Sequence, residues 1–105
     1  MAIDEAILLS LGDDGMLPTL RLYAWHKPCL SLGYAQSVAD VDPPRLVELG
    51  WGLVRRPTGG RAILHADELT YSVIGPQEEP RLASGVLESY QVLSYALLEA
   101  LHILS

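Results

Sequence analysis

The chain holds a single cysteine, Cys29, in 105 residues. That excludes an internal disulfide framework and a cysteine-rich zinc site. Basic residues are scarce too: Lys plus Arg is 7 against 13 for Asp plus Glu, a formal net charge of −6. A nucleic-acid footprint needs a broad basic face, and none is available. No apolar run approaches the roughly 20 residues needed to span a bilayer, so no membrane span is expected. Met1 is followed at once by Asp4 and Glu5, without the charged-then-apolar pattern of a signal peptide. The expected location is the cytoplasm.

What is present is a globular composition, with 50% apolar and 19% charged residues in 11.5 kDa. That allows one small domain. Ala2 to Leu11 has helical apolar spacing, with Asp4 and Glu5 placed to complement the positive end of the helix dipole. Residues 12–15 should stop it. Thr19 to Trp25 alternates, and Cys29 to Tyr34 resumes an extended pattern after a break at 26–28. The expectation is a pair of adjacent antiparallel strands. Asp42-Pro43-Pro44 starts a short helix, with Asp42 as N-cap and Gly50 as the stop. Trp51 to Arg56, Ala62 to Leu64 and Leu69 to Ile74 read as strands, and residues 75–82 as a surface loop. From Ser84 a last helix carries Tyr90, Leu93, Leu97, Leu101 and Leu104 in one stripe. It runs uncapped to Ser105, as at a boundary inside a longer fold. The fold class expected is α+β, a mixed, mostly antiparallel sheet with helices packed on it.

Three of the seven basic residues, Arg55, Arg56 and Arg61, fall in Arg55-Arg56-Pro57-Thr58-Gly59-Gly60-Arg61. A soluble hairpin tip would explain this island. Alternatively, Gly59 and Gly60 let backbone approach a ligand, with Arg56 and Arg61 as donors to a carbonyl, carboxylate or phosphate oxygen. His65-Ala66-Asp67-Glu68 contains metal-ligand types, but three neighbours in sequence rarely converge on one ion. A hydrogen-bonding His65 at a strand end, with Asp67 and Glu68 lining a turn, is the simpler reading. Cys29 lies near His26 and Lys27, yet neighbouring side chains of an extended chain face opposite ways. It reads as a small buried hydrophobe. Tyr23, Tyr34, Tyr71 and Tyr90 read as core or rim.

The segment Arg55 to His65, continuing through Glu68-Leu69-Thr70-Tyr71-Ser72-Val73, resembles the signature of the biotin/lipoate protein ligase superfamily. Met1 to Ala6 is similar to that family's first-helix motif, and Leu30-Ser31-Leu32-Gly33-Tyr34 to its second-strand motif. The likeness is closest to the cysteine-dependent lipoyl-protein octanoyltransferases. It implies transfer of octanoyl from acyl carrier protein, through a cysteine thioester, to a lysine of a lipoyl-domain or glycine-cleavage H-type protein. No cofactor is then required. The related lipoate–protein ligase A would use ATP and Mg instead. A non-catalytic or split subunit needing a partner is the third reading.

By the same resemblance, Arg56 binds a ligand oxygen. Thr58, Gly59, Gly60, Arg61, Ala62, Ile63 and Leu64 supply the loop around the acyl group, and His65 closes its pocket. Arg61 stands where the ligases have a third glycine, which favours transfer over ligation. Ala66 stands where the family often has an aspartate. The family's cysteine and lysine fall beyond residue 105, and neither Cys29 nor Lys27 aligns with them. Residues 1–105 are therefore expected to be the amino-terminal part of a single catalytic domain.

Overall fold

The computed structural model describes residues 1–12, 17–82 and 85–105. Helix α1 spans Ala2–Leu9 and ends in a 3₁₀ turn at Ser10–Gly12. The strands are β1 (Thr19–Ala24), β2 (Cys29–Leu32), β3 (Gly52–Arg55), β4 (Ile63–His65) and β5 (Leu69–Ile74). Helix α2 is Pro43–Leu49, between β2 and β3, and helix α3 is Val86–Leu104. The expected stop at 12–15 lies largely outside the described residues, as does Ser84. Helix α3 begins after Gly85.

The local signals form the elements they suggest. Asp42 caps α2, accepting from the Arg45 amide at 3.2 Å, and Pro43 takes the first turn. Gly50 leaves that helix in the left-handed region at φ 69°. The loop at 75–82 contains a 3₁₀ turn, Pro80–Leu82.

Pairing differs from the expectation. Strands β1 and β2 are not neighbours: β1 pairs antiparallel with β5, Leu22 opposite Tyr71, in a two-stranded sheet. Strand β2 is the centre of a second sheet, ordered β3-β2-β4. It runs parallel to β3 and antiparallel to β4. The stretch 33–51, with α2 in it, is long enough for the crossover that parallel neighbours require. Burial explains the central place of β2: Cys29, Ser31, Leu32 and Gly33 are all buried, as in a strand covered on both faces. The fold is α+β with mixed pairing, α1 against β5 and α2 against β3.

The arginine loop is consequently no hairpin tip. Strands β3 and β4 flank β2, so residues 56–62 must arch over its carboxyl end. Gly33 sits at that end. A Cβ there would lie 1.8 Å from the Gly60 carbonyl oxygen, so only glycine lets the arch pass so close.

Candidate acyl-binding loop

Adjacent residues on a strand point to opposite sides, and Arg55 and Arg56 use this to hold two different segments. Arg55 Nη1 converges on the carbonyls of Gly33, Tyr34 and Gln36, at 2.7, 3.0 and 2.6 Å. It staples the turn after β2. Arg56 turns inward and is buried. Its Nη1 donates to Ser31 O at 3.1 Å and Ser31 Oγ at 3.0 Å. Its Nη2 donates to the carbonyls of Gly59 and Arg61, both at 2.7 Å. The guanidinium expected to reach a ligand oxygen is thus engaged by the chain itself.

Those bonds orient the arch. The Thr58 carbonyl also points inward, accepting from the Tyr34 amide at 2.9 Å. In a planar trans peptide the N–H lies opposite the C=O. With the carbonyls of 58, 59 and 61 held against the body, the amides of Gly59, Gly60 and Ala62 are turned the other way. Gly60 adopts φ 88°, which glycine accepts without strain. Backbone amides freed in this way can receive a partial negative charge. Gly59, Gly60 and Arg61 line an open cleft of about 330 Å³, opposite Ala35, Gln36, Ser37 and Asp40.

The remaining residues of the predicted site separate. Ala62, Ile63 and Leu64 are exposed along the start of β4. His65 is buried beneath Trp25, the rings stacked 4.3 Å apart at 14°. Its Nε2 lies 2.8 Å from Ser31 Oγ and its Nδ1 2.7 Å from Glu68 Oε1. Asp67, at φ 49°, makes the turn between β4 and Glu68. Hydrogen bonds from His65 and Thr70 hold the Glu68 carboxyl below its ordinary range. No group of three His, Cys, Asp or Glu side chains gathers as for a metal ion among the described residues. Sequence reasoning missed Ser31, Gln36 and Thr70. Ser31 and His65 sit diagonally across the β2–β4 ladder, a proximity that follows only from the register.

Cys29 is 5% exposed, and burial pushes its thiol up, partly offset by the amino terminus and Lys27. It is the buried hydrophobe that its neighbours Leu30 and Leu32 suggested.

The whole sequence, residues 1–105, matches the lipoyl protein ligase A/B catalytic domain. The chain belongs to that family. Octanoyltransferase LipM of Moorella thermoacetica is 51% identical over 98 residues, 92% of this chain and 36% of that protein. Octanoyltransferase LipM of Staphylococcus aureus is 47% identical over 100 residues, 94% of this chain and 36% of that protein. The chain thus spans little more than a third of the length of these relatives. Among solved structures, the T. acidophilum protein Ta0514, assigned to the lipoate protein ligases, is 39% identical with a TM-score of 0.56. That match covers 69% of this chain and 30% of the other, and a second structure of Ta0514 contains bound lipoic acid.

Proposed function

We propose that this chain is the acyl-binding part of an octanoyltransferase. It would act in the cytoplasm without a metal or nucleotide, taking octanoyl from octanoyl–acyl carrier protein. The final acceptor would be a lysine of a lipoyl-domain or glycine-cleavage H-type protein. The observation that carries this reading is the arch itself, whose Thr58, Gly59 and Arg61 carbonyls are held by Tyr34 and Arg56 while Gly59, Gly60 and Arg61 line a cleft. Each transfer replaces one bond to the acyl carbon. A cysteine thiol first displaces the carrier thiol, and the lysine amine then displaces the cysteine thiol. In each step the carbonyl oxygen gathers negative charge before the leaving thiol departs with a proton. Amides ordered beforehand by Arg56 suit that charge. Arg56 then serves by holding the loop. Cys29 is buried, and the acyl-bearing cysteine belongs to the part of the family domain beyond residue 105.

Bound lipoic acid in the T. acidophilum structure favours a second reading, ATP-dependent ligation of free lipoate. One experiment separates the two. A full-length protein that contains this chain is mixed with octanoyl–acyl carrier protein and a lipoyl domain without nucleotide, and in parallel with lipoic acid, ATP and Mg. Mass spectrometry of the lipoyl domain should show octanoylation in the first mixture and no lipoylation in the second. Modification in the ATP mixture alone selects the ligase. Modification in neither leaves the split-subunit reading.

A further inference from the structure

The hydrogen bonds around His65 run unbroken from one sheet to the other and end on the arch. Trp25 Nε1 donates to Thr70 Oγ1 at 2.8 Å, and Thr70 Oγ1 donates to Glu68 Oε1 at 2.7 Å. His65 joins Glu68 to Ser31, and Arg56 joins Ser31 to the carbonyls of Gly59 and Arg61. Counting protons fixes every direction. An indole N–H can only donate, so Thr70 accepts it and gives its own hydrogen to Glu68. A carboxylate accepts, so His65 Nδ1 carries a proton. A guanidinium only donates, so Ser31 Oγ accepts from Arg56 and gives its hydrogen to Nε2. The neutral Nδ1–H ring is the one form that satisfies all six groups. A doubly protonated ring leaves the Ser31 hydroxyl hydrogen without its acceptor, on a residue 0% exposed. The other neutral tautomer sets a lone pair against the Glu68 carboxylate.

Serine, histidine and carboxylate in this order also make up a nucleophilic triad. Ser31 is enclosed between Arg56 and His65 with no exposed surface, so no substrate carbonyl reaches its oxygen. Its place in the chain gives it another use.

We infer that Ser31, Glu68 and Thr70 are positioning residues for the arch. They hold His65 in one tautomer, and through Ser31 they fix the guanidinium that turns the loop carbonyls inward. The inference rests on the reading of the arch as an acyl-binding loop. It assigns roles to residues on β2 and β5 and in the turn between β4 and β5, all outside the arginine-glycine segment.

Thr70→Val tests it, because valine keeps the shape and removes only the hydroxyl, and Thr70→Ser restores the hydroxyl. In the full-length protein, Thr70→Val should lower kcat for octanoyl transfer about five-fold, the scale of one internal hydrogen bond, with KM for octanoyl–acyl carrier protein little changed. Thr70→Ser should bring kcat back. The second measurement needs no activity. Long-range ¹H–¹⁵N spectra of the imidazoles near pH 8, assigned with His65→Gln, should show His65 protonated at Nδ1 alone in the parent. Thr70→Val should show mixed tautomers. A parent ring protonated at Nε2 overturns the inference. So does a Thr70→Val loss that falls equally on kcat and KM, follows a lowered thermal midpoint and is not rescued by serine. A full-length protein that transfers no octanoyl group defeats the functional reading, while the imidazole spectra still decide the hydrogen-bond chain.

Discussion

At the scale of single residues, Asp4 shows how position in the fold replaces a local role with another. Its place in the first turn of α1 suits the helix dipole, yet the side chain is buried against β1 and β5. It pairs with Arg21 and accepts from Ser72 Oγ at 2.7 Å and from the Tyr23 hydroxyl at 3.2 Å. Burial pushes its carboxyl up, but the Ser72 and Arg21 hydrogen bonds, the Arg21 charge and the Tyr23 hydroxyl together bring it below the ordinary 3.8. A depressed folded value means stability that is complete above the unfolded value and lost as pH falls through the folded one. Asp4→Asn should therefore cost about 3 kcal/mol near neutral pH, the scale of breaking a buried pair. The difference from the parent should shrink below about pH 3.8, as urea midpoints across pH would show. Arg56 calls for a second prediction. Lysine has no fork to span Ser31 and the two loop carbonyls at once. Arg56→Lys should lose about 2 kcal/mol of stability as well as donor affinity. Arg55→Lys, on the exposed side of β3, should lose less, and thermal midpoints beside KM give the comparison. Cys29 should resist alkylation by iodoacetamide in the native chain and react on unfolding. An octanoyl adduct on Cys29 after incubation with the donor would contradict its buried state.

At the scale of elements, the arch over β2 is decided by two glycines with different reasons. Gly60 needs its positive φ, whereas Gly33 needs the space a side chain would fill. Gly59 has neither constraint, because a Cβ there meets nothing within 4 Å. Gly33→Ala should displace the arch, lowering the thermal midpoint by several degrees and weakening donor binding. Gly59→Ala should leave the midpoint within about 1–2 °C, as expected for an unstrained surface change. Helix α2 offers an independent check on local energetics. Asp42→Ala removes its cap and should cost about 1 kcal/mol in chemical denaturation, without touching the cleft.

At the scale of the molecule, the apolar surface is unevenly covered. On the β1–β5 sheet, Leu20 faces Val73, Leu22 faces Tyr71 and Ala24 faces Leu69 across the ladder, all on one side. Leu20, Leu22, Leu69 and Tyr71 of that side are exposed, and α3 has no buried residue. The apolar side chains that are buried among the described residues are Cys29, Leu32, Leu46 and Ile74. The radius of gyration, 15.7 Å, exceeds the roughly 13 Å of a compact chain this long. The 105-residue chain by itself should therefore bind the dye ANS strongly and scatter light increasingly with concentration. Leu22→Lys should reduce both signals, since it places a charge in the centre of the sheet's open face. As for membranes, no helix among the described residues is long and apolar enough to cross one.

The sequence by itself determined what depends on neighbours along the chain. The Asp42 cap, the Gly50 stop, the bounds of β5 and the opposite facing of Arg55 and Arg56 all follow from local dihedral preferences and side-chain periodicity. The signature residues 55–65 were legible for the same reason, being one contiguous run. Pairing was not legible, because the extended patterns of β1 and β2 follow one another in the chain and nothing local says which partner each takes. Only the tertiary structure joined Ser31 to His65 across the ladder and Asp4 to Ser72, 34 and 68 residues apart. It also turned the arginine loop from a hairpin into an arch, and set the Arg56 guanidinium on Ser31 and the carbonyls of that arch. Burial is the physical reason. A guanidinium taken out of water must find acceptors, and the nearest are carbonyls brought together by the strand order β3-β2-β4.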